Sequence, residues 1–138
     1  MLAIYPISNG YELLGLLHIL SVIAAFGPPF IYPSLVRAGA GAEVAKWHLR
    51  LSLPALVLAW VFGMGLVGLS DDLFEMSDGW IVASLLVWVV LVLVSWFLIR
   101  PSLSDSSERA RSMLSAGIGI THVGLVVMLW LMVFKPGM

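Results

Sequence analysis

Cysteine is absent from the 138-residue chain, and charged side chains make up only 11% of it. The first absence excludes a disulfide framework and any thiolate metal site, and leaves the redox compartment unreadable from cysteine usage. The second excludes an ordinary soluble domain. Hydrophobic residues reach 61%, and so few charges cannot cover them with a polar shell. A formal net charge of −1 offers no electrostatic footprint for nucleic acid. Residues 1–10 contain no Lys or Arg, so the basic region of a cleaved signal peptide is missing and the apolar run from Leu13 to Ala25 is expected to be retained. There is no P-loop, HExxH motif, GxSxG elbow or internal repeat, and no intramembrane carboxylate or lysine relay of the kind proton-coupled transporters use.

What is present is long and apolar. Four windows hold the roughly 20 apolar residues that a spanning helix needs: about 10–36, 49–69, 80–99 and 112–134. Short connections predict antiparallel neighbours, and hence one all-α, four-helix membrane bundle over residues 1–138. Asn9 with Glu12, and Asp105 with Glu108, have capping-box spacing, while Pro101 and Pro136 are expected to stop the third and fourth spans. Pro54 is expected near the first turn of the second span, where its missing N–H costs little. Inside "LLHILSVIAAFGPPFIYPSLVR", residues 16–37, the triplet Gly27-Pro28-Pro29 predicts a kink or break, because Pro28 crowds the carbonyl of Ala24 and neither proline donates an N–H.

Charge placement predicts sidedness. Arg37, Lys46 and Arg50 fall around the first connection and Arg100, Arg109 and Arg111 around the third, six of the seven basic residues. The middle connection, "SDDLFEMSDG", has four acids and no base. The positive-inside rule then puts both termini outside, with Trp47 and Trp80 as interfacial aromatics. Small residues predict the seams where backbones approach: Ala55, Ala59 and Gly63 on the second span, with Gly65 and Gly68 beyond; Ser115 and Gly119 on the fourth; Gly15, Ser21 and Ala25 on the first.

Two histidines lie inside the spans. His18 is expected about 12 Å and His122 about 18 Å below the outer boundary. His18 shares a helical face with Gly15, Val22 and Ala25, and His122 with Ser115, Gly119 and Val126, so both rings are expected to point inward, on neighbouring first and last spans. A polar ring at that depth needs a partner. Three readings stay open: a hydrogen bond to a backbone carbonyl, Ser21, Ser84 or Thr121; axial ligation of a haem; or a metal or proton-handling role. Met128 and Met132 are soft ligands suited to Cu(I), but lie about 240° and 280° around the helix from His122. His48, within "KWHLR", is expected to be solvated at the cytoplasmic interface.

The stretch "LHILSVIAAFGPPFIYPSLV" resembles the first helix of the bacterial J-type protoporphyrinogen oxidases and of the related copper-resistance D-type membrane proteins, through His18, Gly27 and Pro33. The likeness continues at Pro54, Phe62 and Gly63, at Gly79 and Trp80, and at Lys135 and Pro136. In the oxidase pattern a third-span lysine soon follows "GW"; here Ser84 stands near that place. The chain is therefore more similar to a broader set of bacterial four-helix integral membrane proteins of unassigned function that keep the first-helix histidine. The resemblance implies a four-span bundle.

The sequence thus supports a haem b-binding or redox-associated membrane protein with His18 and His122 as cofactor-binding residues. The alternative is a non-catalytic packing or accessory subunit. Its partners would be the lipid bilayer and either a second copy or a larger membrane complex. Passage of copper or a small solute is a third reading.

Overall fold

The computed structural model describes residues 9–137. Four helical rods, long and apolar enough to cross a membrane, run Asn9–Arg37, Gly41–Gly68, Gly79–Leu103 and Glu108–Phe134. The protein is an all-α, multi-pass membrane bundle. Each rod exceeds the window expected for it, because the connections are short: three residues, 38–40, separate the first two rods, and four, 104–107, the last two. The second rod therefore starts eight residues before its expected position, and Pro54, although in the first turn of the α-helical stretch Leu53–Gly68, lies well inside the rod. Pro101 likewise does not stop the third rod, which continues to Leu103. The fourth is capped by Ser107, whose hydroxyl accepts from the Ala110 N–H at 3.1 Å. Asp105, expected to cap it, instead binds the N–H and hydroxyl of Ser107. At the first rod, Asn9 is already helical, and what precedes it lies outside the described residues.

Three of the rods are irregular, each beside proline. In the first, the α-helix ends at Phe26 and a 3-10 turn over Pro28–Ile31 intervenes before the helix resumes at Tyr32, the break that Gly27-Pro28-Pro29 predicts. The second and third rods widen into π-turns at His48–Ser52 and Ser95–Ile99. Each π-turn ends two residues before a proline, Pro54 or Pro101. A proline cannot donate to the carbonyl four residues back and its ring crowds that oxygen, so the turn before it opens.

The rods pack as two pairs, first against second and third against fourth. The pairs close at the end that carries the basic connections, where Tyr32, Val44, Val94, Ile99, Leu103, Leu114 and Ile118 bring all four rods into one buried cluster. Midway the cluster is Ala25, Phe26, Ala55, Leu56 and Leu91. At the acidic end the buried members are Trp80, Ile81 and Leu131, from the third and fourth rods alone.

The second-rod seam is where small residues predict it: Ala55 and Ala59 are buried and Gly63 abuts His18. On the fourth rod the expectation fails. Ser115 and Gly119 are exposed, and the packed stripe is Gly117, Thr121 and Gly124, with Ile99 and Leu91 of the third rod filling the space over the two glycines. Trp80, expected at the lipid interface, is only 6% exposed and lies edge-on to Phe74. The acidic connection turns inward there because the Ser70 hydroxyl accepts from the Phe74 N–H.

Candidate functional site: an aromatic crevice holding His18

Because the pairs are clamped at one end and separate toward the other, a crevice of about 480 Å3 lies between them, within the roughly 300–1,000 Å3 of small-molecule sites. Its wall includes His18, Trp60, Met64, Trp80, Trp88 and Met128. Trp60 and Trp88 stack at 5.5 Å between centroids, and the Trp88 indole N–H crosses to the Leu56 carbonyl at 2.9 Å. Three residues further along the second rod, the Ala59 carbonyl receives His18 Nδ1–H at 2.8 Å. Both acceptors belong to one face of one helix, so the second rod orients a side chain from each neighbour.

Gly63 makes the His18 approach possible. A Cβ there would stand 3.2 Å from His18 Cε1 and 3.4 Å from Nδ1. A carbonyl can only accept, so in the neutral ring the proton sits on Nδ1 and Nε2 keeps its lone pair. The hydrogen bond answers the ring's need for a polar partner in lipid, and it uses a backbone carbonyl of the second span rather than the fourth. Ser84 and Thr121 do not serve as partners, since their hydroxyls donate to the Trp80 and Gly117 carbonyls of their own helices.

His122 is placed elsewhere. Its ring stacks on Phe30 of the first rod at 4.1 Å between centroids, and its Nε2 is buried without a hydrogen-bond partner among the described residues. First and last spans do meet here, but His122 is not part of the crevice wall. Met128 and Met132, which the helical wheel separates from His122, line the crevice with His18. Among the described residues no three His, Cys, Asp or Glu side chains are grouped closely enough to hold a metal ion.

The third histidine corrects an expectation. His48 is not solvated; it is 0% exposed, because the second rod begins at Gly41 and places position 48 two turns inside it. Its Nδ1 lies 3.0 Å from the Tyr32 hydroxyl and its Nε2 3.1 Å from the Ser95 carbonyl. Tyr32 and Ser52 hydroxyls are 2.7 Å apart. The segment after the 3-10 break and both π-turns thus converge on one buried polar chain, which clamps the closed end of the crevice. The sequence carried one signal for it, a proline in or just after each contributing segment: Pro33, Pro54 and Pro101.

The site defines a class: a four-span helical membrane protein with a lipid-level aromatic crevice and an oriented imidazole in its wall. Comparison with protein-family models, curated proteins and solved structures finds no match.

Proposed function

We propose that the protein binds haem b in the crevice, where His18 would hold the iron. The observation that carries this reading is the Nδ1–H bond from His18 to the Ala59 carbonyl, since ligating imidazoles are oriented in this way and leave Nε2 for the metal. The stacked Trp60 and Trp88 and the thioether of Met128 offer flat and polarizable surfaces to a macrocycle. When bound, the group supplies one-electron redox chemistry, while the chain fixes ring orientation and excludes water. The first-span likeness around His18, Gly27 and Pro33 to small bacterial four-helix membrane proteins supports the same reading. It also supports a bacterial inner membrane as the location, and the distribution of basic residues supports both termini outside. His122, off the crevice wall, is not assigned to iron.

The test is an absorption spectrum of protein expressed with ample haem, oxidised and dithionite-reduced, in detergent. A Soret band is expected that is lost in His18→Ala and kept in His122→Ala. A colourless preparation, or a band indifferent to His18, overturns the proposal.

A further inference from the structure

The acidic-end mouth of the crevice holds two polar groups that ligation at His18 does not use. Trp80 lines the crevice at 6% exposure, and its indole N–H has no hydrogen-bond partner among the described residues. Three other polar side chains on that wall are matched: Trp88 to Leu56, Ser84 to Trp80 and His18 to Ala59. A buried donor left unmade in a native fold calls for an explanation, and an absent ligand is one. The second group is Lys135. Its ammonium stands 5.6 Å from the centroids of both the Phe74 and Trp80 rings. Its backbone has φ 43°, a left-handed conformation that helix ends usually give to glycine. That turn carries the side chain back to the crevice, where Nζ–H donates to the Met132 carbonyl at 2.7 Å.

We propose that this mouth binds the carboxylate head of an amphiphile whose apolar body lies in the crevice. The Trp80 indole N–H donates to one carboxylate oxygen, and the Lys135 ammonium, on a flexible four-carbon stem, closes on the other. A cation beside an otherwise apolar wall selects an anionic head on an apolar body. Asp78 at the same helix start is turned to the connection, where its Oδ2 accepts from the Glu75 N–H. The inference shares with the haem reading the premise that the crevice is the binding site, but it does not depend on iron or on His18. An acyl carboxylate and a porphyrin propionate have the same head chemistry.

The test is the indole 15N–1H spectrum of the labelled full chain in neutral detergent. The chain has six tryptophans, so Trp80 and Trp88 are assigned by the peak lost in Trp80→Phe and in Trp88→Phe. Oleate, or metal-free protoporphyrin IX, is expected to move the Trp80 indole proton downfield saturably. The methyl esters should leave it in place, and Trp88, already bonded to Leu56, should not show the downfield move. Lys135→Met should weaken the response about tenfold, and His18→Ala should preserve it. A shift with oleate alone assigns the head to an acyl chain, and with the porphyrin alone to a propionate. A Trp80 peak unmoved by both acids, or moved equally by acid and ester, overturns the proposal. Because neither probe contains iron, loss of the Soret band and loss of this response are separate failures.

Discussion

His48 Nε2 lies 3.0 Å from Ser95 Oγ as well as 3.1 Å from the Ser95 carbonyl, so one imidazole joins the π-turn of the second rod to that of the third. For the neutral ring the carbonyl fixes the proton on Nε2, which makes Nδ1 an acceptor and Tyr32 its donor. Tyr32→Phe removes that donor and leaves a buried nitrogen unpaired. A loss of about 1–2 kcal/mol is expected, set by the cost of an orphaned buried group and by the modest value of interhelical hydrogen bonds in lipid. The measurement is a mixed-micelle denaturation followed by circular dichroism. A midpoint equal to that of the parent chain would show that the chain of hydroxyls does not clamp the bundle.

Two glycines separate packing from mere smallness. A Cβ on Gly41 would stand 2.5 Å from the Leu103 carbonyl oxygen, a backbone atom that cannot rotate away, where the second rod begins against the end of the third. Gly41→Ala is expected to cost about 1–3 kcal/mol. Around Gly119 nothing lies within 4 Å of the same added atom, so Gly119→Ala should be neutral or slightly stabilising, since alanine favours the helix. Equal effects in thermal unfolding of the two variants would contradict this contrast.

Gly119 also shows what the sequence encodes and what it leaves to packing. Four spans and the break at Gly27 are legible because hydropathy and proline act locally. The seam of the fourth rod is not. Gly117 and Gly119 are two residues apart, hence about 200° around the helix, and both sit in plausible small-residue stripes. Only Ile99 and Leu98 of the third rod, which fill the space over Gly117 and leave Gly119 open, decide between them. His48 was obscured by its neighbours: Lys46 and Arg50 read as a boundary, whereas a three-residue connection lets the helix run past both. The crevice depends on two helix pairs separating at one end, which no single segment specifies. His18 as a candidate, by contrast, followed from one polar ring in an apolar run.

The absence of cysteine makes sidedness directly measurable. In intact cells, Ser77→Cys in the acidic connection should react with a membrane-impermeant maleimide, and Ser106→Cys in the third connection should react only after permeabilisation. This follows from the six basic residues around the first and third connections. The opposite pattern would invert the orientation proposed above.

Gly63 tests the site itself. The His18 ring reaches the Ala59 carbonyl across the space that Gly63 leaves, with 3.2 Å between Cε1 and an added Cβ. That separation is tight but adjustable, so Gly63→Ala should let the ring shift by a few tenths of an ångström, whereas the branched side chain of Gly63→Val should displace it and break the 2.8 Å bond. If the bond orients His18 for a ligand, haem occupancy should fall modestly in the alanine variant and about tenfold or more in the valine variant, in line with the 10–100-fold effect of losing an outer-shell partner. The readout is the Soret absorbance per mole of protein, with far-UV circular dichroism to establish that the helices persist. Full occupancy in Gly63→Val would mean that the carbonyl does not set the ring, and that His18 holds its place by lining the crevice alone.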